Sequence, residues 1–134
     1  MALEILTRFD EVRKAVVNHP GDETIVAGVW ITRDVNGNAA TPNVGGSGEL
    51  VILGNEFGRP DSIGSETVTT QYGVNRYKVG PEGYEGTPGV GVALELGIDA
   101  DVGLGKKVRA ASGGFEVAVV EGYDGDQLIF KTLV

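Results

Sequence analysis

The pattern of apolar and polar positions changes once along the chain, near residue 20. Before it, in MALEILTRFDEVRKAVVNHP, glycine is absent and Leu3, Leu6, Phe9, Val12 and Val16 recur at spacings of three and four. Such spacing marks one face of an amphipathic helix, with Thr7 and Asp10 as start signals. It predicts a short helix over 8–17, preceded by a free or strand-like tip. The competing reading is an extended arm with Leu3–Leu6, LEIL, as a strand. Pro20 and Gly21 end the segment, because neither continues a helix.

From Thr24 the period shortens to two. Ile25, Ala27, Val29 and Ile31 alternate with Val26, Gly28, Trp30 and Thr32, the signature of a half-buried strand. Asn36-Gly37 is a strong hairpin signal, because its turn needs positive φ. NVGGSG at 43–48 reads as a loop and ELVIL at 49–53 as a short buried strand. The stretch 54–65 has no period and reads as a loop. ETVTTQY and VNRYKV flank Gly73 and read as a β pair rich in branched and aromatic residues. GPEGYEGTPG at 80–89 is loop. VGVALEL at 90–96 is a strand and GIDADVGLG a turn-rich link. KKVRAA, FEVAVVE and QLIFKTL follow as three strands, joined at Ser112-Gly113-Gly114 and at Tyr123-Asp124-Gly125-Asp126. About eight or nine strands at this spacing predict an all-β single domain, sandwich or barrel, with an N-terminal arm or short helix. The expected division is 1–20 for the arm and 21–134 for the β domain.

Composition sharpens this reading. The chain has 134 residues, which suits one domain with a real core. Its 22 glycines are about twice the usual share and have no fixed period, so they punctuate short strands rather than build a repeat. The net charge of −8 disfavours a phosphate-backbone partner. No stretch is long and apolar enough to span a membrane, and the N-terminus lacks the basic and apolar regions of a signal peptide. No nucleic-acid or membrane partner is therefore expected. With no cysteine there is no disulfide framework and no thiolate metal site.

Candidate chemistry is sparse. His19 stands alone beside Asp22 and Glu23 and reads as a turn residue rather than a ligand. Asp34, Asn36 and Asn38 open like a calcium loop, but Ala39 and Gly45 stand where that loop needs glycine and glutamate; a hairpin turn explains them. Asp99/Asp101 and Asp124/Asp126 read as turns with solvated acids. The G-x-G of GVGVALELG continues as strand, so it is no dinucleotide fingerprint. The four serines lie outside any G-x-S-x-G, with one histidine to serve them. No catalytic set and no cofactor is expected.

Two segments carry a resemblance. GDETIVAGVWITRDVNGNAATP at 21–42 is similar to the opening of many small tailed-phage head proteins. There G-D-x-x-x-x-A-G precedes a strand and an N-G or D-G turn. GVALELG and KKVRAASGGFEVAVV resemble their later segment, a Gly-Val-Ala strand followed by a Val-rich hairpin. The likeness spans 21–53 and 90–134 and points to the capsid decoration, or cement, proteins of double-stranded DNA phages. It implies a β-rich, non-enzymatic subunit made in the host cytoplasm and carried on the outer head surface of the virion. It implies the major capsid protein and further copies of the chain as partners, a trimer being favoured over a dimer. The residues expected at the contact are Leu3, Ile5, Leu6 and Phe9 of the arm, which suit strand addition or a groove, and Tyr84 of the 80–89 loop. The arm packing on its own domain, and the loop being only a solvated connection, are the plainer alternatives. Other readings are a tail or head-completion subunit, or a carbohydrate- or peptide-binding β module using Trp30, Tyr72, Tyr77 and Tyr84, although at strand spacing these aromatics read first as core and cross-strand packing.

Overall fold

The computed structural model describes residues 3–8, 13–18, 28–52, 67–72, 74–97 and 107–133. Eleven strands run through them: β1 (Leu3–Arg8), β2 (Arg13–Asn18), β3 (Trp30–Arg33), β4 (Ala39–Ala40), β5 (Glu49–Ile52), β6 (Thr67–Tyr72), β7 (Asn75–Val79), β8 (Ala93–Leu96), β9 (Val108–Ala110), β10 (Ala118–Asp124) and β11 (Gln127–Thr132). A single 3-10 turn, Pro81–Gly83, is the only helical element among the described residues. None of the described helices is long and apolar enough to cross a membrane.

The strands form two antiparallel sheets, a six-stranded one ordered β1-β7-β11-β10-β8-β9 and a five-stranded one ordered β2-β6-β5-β3-β4. This is a β-sandwich, as the alternating pattern predicts. The core lies between the layers. Trp30 and Leu50 come from the smaller sheet; Tyr77, Val79, Leu94, Leu96, Val108, Ala118, Val120, Leu128 and Phe130 come from the larger. Phe130 is the hinge of this packing, 6.3 Å from the Trp30 ring across the layers and 5.7 Å from the Tyr77 ring within its own sheet. Along β7 and β11 the burial alternates, with Tyr77, Val79, Leu128 and Phe130 inward. Arg76 and Lys78 of the intervening register reach Glu121 at 2.5 Å and Asp124 at 3.3 Å. Such pairs, partly open to solvent, contribute little, about 0–1 kcal/mol each.

Three expectations are corrected. The helix over 8–17 does not form, because residues 13–18 are strand and pair with β6 from Arg13↔Tyr72 to Asn18↔Thr67. A short run with Val16 and Val17 satisfies both periods, and the open edge of β6 gives the extended form a complete ladder. The alternative arm reading, with Leu3–Leu6 extended, matches β1, which pairs with β7. The second correction concerns the segments around Gly73. They do not pair with each other: β6 takes β2 and β5 as neighbours, β7 takes β1 and β11, and the chain changes layer between them. Both edges of each strand are already filled, so no hairpin can close. Finally, β9 and β10 are consecutive but not adjacent, because β8 lies between them. The loop expected over 54–65, most of the link at 97–105, His19 and the Asp99/Asp101 pair lie outside the described residues.

Candidate functional site

A cleft of about 290 Å3 opens where the two layers meet at one end of the sandwich. Ile31, Thr32 and Arg33 of β3 line one wall, with Ser47, Gly48 and Glu49 at the entry to β5. Phe115 and Val117, on the lead-in to β10, line the other. Ile31 and Val117 are buried, whereas Phe115 is 48% exposed. Arg33 Nη2 donates to Glu49 Oε2 at 2.8 Å on the rim. Gly48 lets the loop settle on the core, because a Cβ there would fall 2.8 Å from Leu96 Cδ1 and 3.4 Å from the Trp30 ring.

The Phe115 wall is braced from behind by Glu95. This residue is 2% exposed in the middle of β8, directly across from Arg109 of β9. A buried carboxylate is costly unless it is saturated with donors. Glu95 Oε1 accepts the Ser112 N–H, and Oε2 accepts Arg109 Nη2 at 3.3 Å. The Ser112 amide is the largest cause holding the Glu95 carboxyl below its ordinary value; burial opposes it, and Arg109 and the Gly114 amide add to it. The Ser112–Gly114 turn is thereby pinned. Gly45 closes the arrangement: its N–H donates to Leu96 O at 2.7 Å and its carbonyl accepts the Phe115 N–H at 2.8 Å.

The other described loops are tied in the same way. Asp34 Oδ1 accepts the N–H groups of Asn36 at 2.8 Å and Asn38 at 2.9 Å, and these bonds lower the Asp34 carboxyl's pKa, the Asn38 amide foremost. Gly37 has φ +78°, so the hairpin expected at Asn36-Gly37 is present and the acid there caps a turn. Tyr84 Oη donates to Asp126 O and Tyr123 Oη to Pro88 O, both at 2.7 Å. The two rings meet edge to face at 6.0 Å. Burial, with a smaller contribution from Tyr84, pushes the Tyr123 phenol up.

Several of these ties sit near an exposed apolar residue. Val35 follows Asp34 and is fully exposed at 101%. Val44 precedes Gly45, Val90 lies two residues beyond Pro88, and Phe115 follows Gly114; all three are exposed. These four apolar side chains stand exposed among polar loop residues such as Asn36, Asn43, Thr87 and Glu116, which are exposed as well. Among the described residues no three His, Cys, Asp or Glu side chains gather as a metal site.

No protein-family model, curated protein or solved structure matches the chain. The residues expected at a contact are therefore placed by geometry alone. Leu3 and Ile5 stand in β1 opposite Val79 and Tyr77, and Leu6 falls in the register shift between Ile5 and Thr7. Phe9 lies outside the described residues. Tyr84 is partly buried and tethers the 80–89 loop to the β10–β11 turn. Trp30 and Tyr77 are core residues, 5% and 1% exposed, which removes them from the aromatic face considered for a ligand-binding module. Sequence reasoning missed Glu95 and Phe115. The available signal was a lone acid inside the apolar run Val-Ala-Leu-Glu-Leu, with a basic strand, KKVRAA, close downstream.

Proposed function

We propose that this chain is a non-catalytic structural virion protein, a head decoration or cement subunit. It binds the outer surface of a tailed-phage capsid and stabilises the mature shell by non-covalent contacts. The observation that carries the reading is the set of four tied loops with exposed Val35, Val44, Val90 and Phe115. Fixed apolar tips lose little entropy on docking and suit a preformed contact surface. The resemblance of 21–53 and 90–134 to phage head proteins supports the same reading. So does the acidic net charge of −8, which keeps free subunits apart before assembly. The partners are the major capsid protein and further copies of the chain, as a trimer; many symmetric copies make modest contacts sufficient.

Quantitative mass spectrometry of gradient-purified particles tests this reading. The expected result is a chain banding with DNA-filled heads on the order of hundreds of copies, near-stoichiometric with the major shell protein. A count of about a dozen, as in a head-to-tail ring, would move it to a tail or head-completion subunit. Absence from particles would remove the virion reading.

A further inference from the structure

We infer that the Asn36-Gly37 turn is a self-modification site. There the Asn36 side chain deamidates through a succinimide to aspartate and isoaspartate, and the β3–β4 hairpin loosens. The site stands apart from the reading as a contact protein and does not depend on it. Asn36 is the only asparagine in the chain that precedes a glycine, and it is exposed. Gly37 has no side chain to crowd its own nitrogen, and nothing lies within 4 Å of the position a Cβ would take. Asn38, Asn43 and Asn75 lack these conditions. Asn38 precedes Ala39, Asn43 precedes the branched Val44, and Asn75 is fully buried.

The main-chain nitrogen of Gly37, once its proton has passed to hydroxide, attacks Asn36 Cγ within the same chain. The N–Cγ bond forms, the Cγ–Nδ2 bond breaks, and Nδ2 leaves as ammonia with a proton returned from water. Water then opens the ring at either carbonyl. Opening at Cγ cleaves the new N–Cγ bond and leaves aspartate. Opening at the main-chain carbonyl cleaves the original peptide bond and leaves isoaspartate. In both cases the Gly37 nitrogen regains its proton, and nothing is oxidised or reduced. Each product adds one negative charge to the −8 of the chain. The turn restrains the step: Gly37 N–H donates to Asp34 O at 3.1 Å, and Asp34 Oδ1 accepts the N–H groups of Asn36 and Asn38. These bonds lie on an exposed tip, where local opening is cheap, so they slow the reaction without blocking it. Isoaspartate carries the main chain through Cβ and Cγ and lengthens it by one atom. Asn38, which Asp34 bonds through both its amide and its carboxylate, then falls out of place, and the adjacent Arg33↔Ala39 pairing loosens.

The test is incubation of the 15N-labelled full chain at mildly alkaline pH, beside the N-acetylated and C-amidated peptide Asp-Val-Asn-Gly-Asn. Peptide mapping by mass spectrometry locates the deamidation, and an isoaspartyl methyltransferase reports the isoaspartate. The mass gain is expected at Asn36, more slowly than in the free peptide, and is expected to be absent at Asn38 and Asn43 over the same period. Asp34→Ala removes the carboxylate that ties the turn and should quicken the gain about tenfold. The aged chain, separated by ion exchange, should show amide shifts at Arg33, Asp34, Asn38 and Ala39. The same incubation of Asn36→Gln should leave those amides unmoved. Asn36 unchanged once the peptide has converted completely, an equal gain at Asn38 or Asn43, or a rate indifferent to Asp34→Ala would overturn the inference. Isoaspartate formed with those four amides unshifted would overturn the loosening of the hairpin.

Discussion

Gly114 and Gly45 meet backbone to backbone over the Glu95 carboxylate. A Cβ on Gly114 would fall 2.8 Å from Gly45 Cα and 2.6 Å from Glu95 Oε2. One of these neighbours is main chain and the other a saturated buried acid, so neither can yield cheaply. Gly114→Ala should therefore destabilise the protein by about 1–3 kcal/mol, the cost of overpacking. Denaturant unfolding checks this, with Gly122→Ala as a control, because nothing lies within 4 Å of a Cβ there.

Trp30 joins the two layers through Phe130, at 6.3 Å between ring centroids. Phe130→Ala removes the contact on both sides, to Trp30 and to Tyr77, and should cost about 3–5 kcal/mol. Fluorescence of Trp30, the only tryptophan, should shift to longer wavelength in that variant, as water reaches the vacated space.

Acid should unfold the protein through Glu95. Its carboxyl is held below its ordinary value of 4.5 in the folded state. The unfolded state therefore takes up protons first as pH falls. The contribution is complete well above pH 4.5, begins to fade as pH drops through that value, and is lost below the folded pKa. Asp34 acts in the same direction from its ordinary value of 3.8. Glu95→Gln should lower the melting temperature at pH 7 and flatten its decline as pH falls below 4.5, read by calorimetry across pH.

The hydroxyls of Tyr84 and Tyr123 tie the 80–89 loop to the β10–β11 hairpin, Tyr84 by donating to Asp126 O and Tyr123 by donating to Pro88 O of the loop. Tyr84→Phe and Tyr123→Phe keep the rings and delete the bonds, at about 0.5–1.5 kcal/mol each. Hydrogen exchange should quicken at Glu85, whose N–H is bonded to Val108 O at 2.9 Å, before any change in the core.

Val35 separates fold from contact. It is fully exposed, so Val35→Ser should change stability by less than about 0.5 kcal/mol. On the proposed function it should weaken association with capsids, measured by co-sedimentation.

The elements that could be read in advance were those whose local signal had no rival. Asn36-Gly37 allows few structures but a hairpin, and the alternation of QLIFKTL admits only a strand half-buried on one face, as β11 is. Residues 13–18 were misread because a few apolar positions fit both the helical and the strand period, and the ladder to β6 decides between them. The cleft was illegible for a different reason. Phe115 and Ile31 are 84 positions apart, and neither has a local pattern that predicts the other.

The sequence by itself determined that the chain is β, acidic and free of thiol chemistry, because alternation, glycine turns and composition are local or summed properties. Only the tertiary structure decided which strands share a layer and that Glu95 braces the wall carrying Phe115. Those outcomes depend on sheet edges competing for partners and on a buried charge collecting donors from distant turns. Contacts of that kind come into being only when the two layers close.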